Sequence, residues 1–127
     1  MILIVDDDVG MAETCSMLLK AHGFDVSVAA SGAEALSRLG SASHELLISD
    51  CAMPGMSGVE LSEKLRADPS TAQLPIVLMS ASLRCDIAQG TDYDAFLRKP
   101  FLAENLLVVV RDLLAGVRTE HSNYCKV

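Results

Sequence analysis

The chain has 127 residues, a formal net charge of −7 and 50% hydrophobic residues, with a positive mean hydropathy. One domain of this size can bury a sizeable core, and so apolar a composition excludes a disordered chain. No apolar run approaches bilayer-spanning length, and ten basic residues scattered along an acidic chain form no stripe for phosphates, so neither a membrane nor direct nucleic-acid contact is expected.

Met1 leads straight into an apolar strand and then into acids, with no secretory pattern, so a cytoplasmic location is expected. Ile2–Val5 is a continuous β-branched and apolar run, the mark of a strand covered on both faces. It ends in Asp6, Asp7 and Asp8. Ala12, Cys15, Leu18 and Leu19 then recur at helical spacing within Val9–Ala21, with Asp8 as the cap and Gly23 as the stop. Asp25–Ala29 alternates apolar and polar residues, as an outer strand does. Ser31 and Glu34 match a capping box that opens a helix over Gly32–Leu39, and Gly40–Ser43 reads as a loop.

Leu46–Ser49 is the next buried strand, with Asp50 where it ends. A turn around Pro54 and Gly55 leads to a second capping box, Ser57 with Glu60, and a helix over Gly58–Ala67. Asp68-Pro69 stops that helix, because a residue before proline disfavours α geometry. Ile76–Met79 is a fourth strand, followed by Ser80, Ala81 and Ser82. A short helix is predicted over Arg84–Gln89, ended by Gly90. Ala95–Leu97 is the last strand, followed by Arg98, Lys99 and Pro100, and Ala103–Leu114 is the last helix. Residues 1–117 read as one domain and 118–127 as a flexible polar tail. Strand and helix alternate five times, a (βα)5 rhythm that implies an α/β fold with a doubly wound parallel sheet.

The stretch Leu46–Gly58 organises the chain. A carboxylate at the C-terminal end of a central parallel strand lies where open α/β sheets bind their ligands. Four strand ends deliver polar residues to that one edge: Asp6 and Asp7, Asp50, Ser80, and Lys99. Three neighbouring carboxylates repel one another unless a cation joins them, and hard oxygen donors select Mg²⁺ or a similar ion. A lysine beside such a cluster pairs with an acid or an incoming anion, and a serine hydroxyl can donate to a phosphoryl oxygen. Together these parts suit acceptance of a phosphoryl group on a carboxylate.

The segments ILIVDDD, LLISDCAMPGMSGVEL, PIVLMSA and FLRKPF resemble the response-regulator receiver domains of two-component signalling, over residues 2 to about 114. The resemblance implies a flavodoxin-like five-stranded sheet of order 2-1-3-4-5. It implies Asp50 as phosphoacceptor, with Asp7 binding Mg²⁺ (or Mn²⁺) directly and Asp6 mostly through water. The backbone carbonyl of Ala52 would complete the protein ligands. It further implies Lys99 as the phosphoryl contact, Ser80 as the switch hydroxyl, Phe96 as the switch aromatic and Pro100 as a cis proline aiming Lys99 inward. The implied partners are a sensor histidine kinase or phosphotransfer protein, and a downstream protein or second copy meeting the face of the fourth helix, fifth strand and last helix. Such a domain assists its own phosphorylation and slow dephosphorylation without being a turnover enzyme.

Eighteen residues separate Ser80 from Lys99, a few fewer than is usual in the family, so the fourth helix should be short, shifted or partly unwound. Tyr93 would replace Phe96 if the register slipped. Leu102, Leu106, Val109, Leu113 and Val117 form one stripe of the last helix, widened by Leu107, Val108, Val110 and Leu114. That breadth is either a wide core face or a dimer or partner surface. Cys51, Met53 and Met56 read as packing residues, and His22, His44 and His121 have no assigned role. Cys15, Cys51, Cys85 and Cys125 lack metal-type spacing and read as free thiols of a reducing compartment. Three rivals stay open: a docking receiver that works without phosphorylation, an aspartate-nucleophile Mg²⁺-dependent phosphohydrolase using Asp6-Asp7-Asp8-Val9, and a flavodoxin. The last lacks a Ser/Thr-rich phosphate loop after the first strand.

Overall fold

A computed structural model describes residues 1–80 and 93–116. The predicted helix Arg84–Gln89, its stop at Gly90, Val117 of the last stripe, the tail 118–127, Cys85, Cys125 and His121 lie outside the described residues.

Five strands, β1 (Ile2–Val5), β2 (Val26–Ala29), β3 (Leu46–Asp50), β4 (Ile76–Ser80) and β5 (Ala95–Arg98), pair in parallel in the order β2-β1-β3-β4-β5. The helices among the described residues are α1 (Val9–Ala21), α2 (Gly32–Ser41), α3 (Gly58–Ala67) and α4 (Ala103–Leu114). The alternating strand β2 is an edge strand, as its pattern implies, and the continuous apolar runs of β1, β3 and β4 are buried along their whole length.

Alternate residues of each strand feed opposite layers. Ile2, Ile4, Leu46, Ile48, Val77, Met79, Ala95 and Leu97 pack under α1 and α4. Leu3, Val5, Leu47, Ile76, Leu78 and Phe96 pack under α2 and α3. The wide apolar stripe of α4 is largely core: Leu106, Leu107, Val109, Val110 and Leu113 are buried, while Leu102 and Val108 stay exposed.

Several boundaries shift from the sequence expectation. Helix α2 runs through Gly40 to Ser41; the Glu34–Arg38 pair holds its outer face, and the Ser41 hydroxyl donates to the Arg38 carbonyl. Asp50 and Ser80 belong to their strands because the ladder continues past them, through Cys51 N–H to Met79 O and Lys99 N–H to Ser80 O. The Ser57–Glu60 box closes in both directions, whereas Glu34 reaches back to the Ala30 N–H instead of that of Ser31. Asp8 caps α1 by accepting from the Met11 N–H.

The approach to β5 is pinned by a half-buried arginine. Arg66 of α3 donates to the carbonyls of Ala72 and Leu74 and pairs with Asp94 at 2.8 Å. The same Asp94 oxygen accepts the Ile76 N–H at the start of β4. One side chain thus ties α3, the following turn and the last two strands together.

Candidate functional site

The edge at the strands' C-terminal ends is built by register. Val5 pairs with Ser49 across β1 and β3, so Asp6 and Asp50 emerge side by side. Ser80 pairs with Arg98 across β4 and β5, and the Lys99 N–H donates to the Ser80 carbonyl, which sets Lys99 over the same edge. The Lys99 ammonium lies 3.0 Å from Asp6 Oδ2 and 3.5 Å from Asp50 Oδ1. Asp6 is fully enclosed and its other oxygen accepts the Asp8 N–H. Asp7 is exposed and completes the cluster: one carboxylate oxygen from each of Asp6, Asp7 and Asp50 lies within 4.8 Å of the others.

Three acids against one lysine leave this pocket with excess negative charge. A set of clustered carboxylate oxygens with one exposed member fits a small divalent cation, which takes oxygen ligands and keeps several waters. Ala52 lies on the exposed turn after β3, two residues past Asp50. Ser80 is buried at the end of β4. Lys99-Pro100 is a cis peptide bond. Phe96 lies opposite Leu78 in the ladder, so the register does not slip and Tyr93 precedes the strand. The Phe96 ring is already inward, 1% exposed, with its centroid 6.3 Å from that of Tyr93 in an edge-on contact.

Burial raises the pKa of Asp50; the Lys99 charge pulls it down, the neighbouring Asp6 charge pushes it up, and the net effect is upward. Burial would lower the pKa of Lys99, but its hydrogen bond to Asp6 and the charges of Asp50 and Asp6 prevail, so the ammonium is held more firmly than usual. Burial beside the Asp50 charge pushes the Cys51 thiol up to about 12. Cys51 and Met53 are core residues, as expected of packing side chains. His22 and His44 stand apart from the acids, bonded to the Leu18 carbonyl and to Ser27 with the Ala42 carbonyl.

Three features escaped the sequence reading. Gly58 counted only as a helix start, yet a Cβ there would sit 2.3 Å from the Asp50 carbonyl oxygen. Ser49 counted as part of an apolar strand, yet its buried hydroxyl donates to that same carbonyl. The Arg66–Asp94 pair spans 28 positions, and no local pattern announces it.

Residues 2–111 match the family model described as "Response regulator receiver domain". The chain belongs to that family. This receiver is 40% identical over 118 residues to the response regulator Rre1 of Synechocystis sp., a match covering 90% of this chain and 51% of that protein. The chain spans about half the length of the curated relatives it matches. Among solved structures, the signal receiver domain of a signal transduction histidine kinase from Syntrophus aciditrophicus superposes with a TM-score of 0.85 at 32% identity, covering 94% of this chain and 93% of that one. TrrA of Thermotoga maritima, solved in complex with Mg²⁺–BeF, gives a TM-score of 0.79 at 31% identity, covering 88% and 96%. Receivers of this family are signalling domains of two-component systems. Among the described residues, no helix is long and apolar enough to cross a membrane.

Proposed function

We propose that this receiver takes a phosphoryl group onto Asp50 from a phosphohistidine of a sensor histidine kinase or phosphotransfer protein. The observation that carries the reading is the convergence of Asp6, Asp7, Asp50 and Lys99 at one sheet edge. Asp6, Asp7, Asp50 and the Ala52 carbonyl would hold Mg²⁺ (or Mn²⁺), with Asp6 acting largely through water. The bound ion supplies positive charge against the transferring group.

A carboxylate oxygen of Asp50 attacks phosphorus as the bond from phosphorus to the donor's imidazole nitrogen breaks, and the electron pair leaves with that nitrogen. Lys99 opposes the effect of burial on Asp50, since the ammonium favours the charged carboxylate. Its contact to Asp50 is the longer of two, so it can turn toward a phosphoryl oxygen while keeping its 3.0 Å bond to Asp6. Ser80 donates its hydroxyl to another phosphoryl oxygen. Phe96, already inward, fills the space beside Tyr93 and Leu78, and Pro100 follows the lysine in the cis form. The change at Ser80 passes to the face of β5 and α4, where a downstream protein or second copy docks. We take residues 1–117 as the working unit and the cytoplasm as its location. Nucleic acid has no part in the proposal, given the net charge of −7.

The test is intact mass after incubation with Mg²⁺ and a small acyl phosphate. The expected result is one phosphoryl group on the wild type and none on Asp50→Asn. Stoichiometric labelling of Asp50→Asn would refute the acceptor assignment. Rapid turnover of a generic phosphate ester would instead favour a phosphohydrolase.

A further inference from the structure

We infer that Ser49 and Gly58 are positioning residues that clamp the main-chain carbonyl of Asp50 and thereby set the loop that carries Ala52 beside the acceptor. The inference rests on the phosphoacceptor reading and adds two residues to it.

Residues 51–57 leave the sheet at Asp50 and return at Gly58 with their ends in contact. The Gly58 N–H donates to the Cys51 carbonyl at 2.9 Å. The Gly58 carbonyl accepts the Ser62 hydroxyl at 2.9 Å, which anchors the returning end to α3. The Asp50 carbonyl lies between these ends. A Cβ on Gly58 would stand 2.3 Å from its oxygen, 3.0 Å from its carbon and 3.0 Å from the Cys51 Cα. All three are main-chain atoms, so no side chain can swing away to make room. Gly58 is not in a positive-φ conformation, so close approach and not backbone freedom demands glycine here.

The Ser49 hydroxyl donates to the same carbonyl at 3.0 Å, and Ser49 is fully buried. An apolar residue at 49 would remove this buried donor from the Asp50 carbonyl. The peptide of Asp50 is therefore held by a donor and by a wall. That peptide leads directly to Cys51 and then to Ala52 on the exposed turn. Moving the Asp50 carbonyl moves both the carboxylate and the Ala52 carbonyl relative to Asp6 and Asp7.

The clamp makes a prediction that a stability role alone does not. Ser49→Ala should stay folded but need about fivefold more Mg²⁺ for half-maximal labelling by an acyl phosphate, from the loss of one hydrogen bond to the loop anchor. Ser49→Thr, which keeps the donor, should restore the wild-type value. Gly58→Ala should lower the labelling rate at saturating Mg²⁺ by on the order of tenfold to a hundredfold, through displacement of the acceptor. Mg²⁺ affinity is also measured without a phosphoryl donor, by calorimetry, and thermal unfolding is recorded for each variant. Ser49→Ala that binds Mg²⁺ and labels like the wild type overturns the inference while leaving Asp50 as acceptor. Ser49→Thr as impaired as Ser49→Ala reduces the effect to packing and also overturns it. If Gly58→Ala does not fold, the Ser49 pair decides. Failure of the wild type itself to label overturns the phosphoacceptor reading, and the clamp falls with it.

Discussion

Replacing Lys99 by methionine gives the most direct test of how this site is held together. The ammonium is 3.0 Å from Asp6 and 3.5 Å from Asp50, and its side chain is only 12% exposed. At an effective dielectric constant of about 20, each contact contributes about 5 kcal/mol of gross attraction. Desolvation of the three groups offsets most of that. Breaking a buried pair by removing one partner leaves a net penalty of about 3 kcal/mol, because uncompensated charge stays inside. For a domain of this length, that is a fall in Tm of about 10 °C.

The pH dependence follows from Asp50, whose pKa is raised in the folded protein. The folded state then holds the proton more tightly than the unfolded chain, so ionising Asp50 works against folding. Stability from this group is lost as pH rises from the ordinary carboxylate range through the folded pKa. Removing Lys99 removes the charge that opposes the rise and extends that window upward. The Lys99→Met penalty should thus be largest near about pH 7.5 and shrink toward about pH 5. Saturating Mg²⁺ should raise the Tm of the variant more than that of the wild type, since no ammonium competes for the acids. Thermal unfolding by circular dichroism at both pH values, with and without Mg²⁺, reads all of this. A variant that melts with the wild type near neutrality without divalent ion would refute the reasoning, as would equal stabilisation of both proteins by Mg²⁺.

Cys51, with its thiol pushed up to about 12, should react with iodoacetamide at mildly alkaline pH about a thousandfold more slowly than an ordinary thiol; peptide mapping after timed alkylation checks this. Arg66→Ala should destabilise the domain by about 2 kcal/mol in urea unfolding, because half-buried Asp94 and two carbonyls lose their charged donor. Ser57→Ala, which opens the capping box of α3, should cost about 1 kcal/mol in the same assay without changing the slope.

The strands were legible because burial on both faces writes itself as an unbroken apolar run. Ile2–Val5 was placed residue for residue by that signal alone. Helices α1, α3 and α4 were equally plain, with caps at Asp8 and Ser57 and a breaker at Pro69 marking their limits. The acidic cluster was legible for a different reason: charged residues are excluded from the interior of such strands, so those at the ends stand out. Side-chain reach was not legible. Whether Lys99 favours Asp6 over Asp50 depends on distances of half an ångström, which no pattern encodes. The end of α2 was misjudged because Gly40 reads as a breaker, while an ion pair one turn earlier and the Ser41 hydroxyl carry the helix past it. Gly58 and Ser49 were missed because their partner is a main-chain atom, invisible to any reading based on side-chain type.

The lysine and the enclosed aspartate it neutralises are 93 positions apart in the chain. On a ribosome, the acids at 6 and 50 emerge long before residue 99 does, and strands one to four can pair before the cation that calms them exists. Such long-range closures form late, since chain entropy opposes them until neighbouring ladders are in place. A nascent chain that has not yet reached residue 99 therefore carries an unneutralised acidic mouth. On the proposed reading, the acceptor site is complete only once the final strand has zipped onto its neighbour.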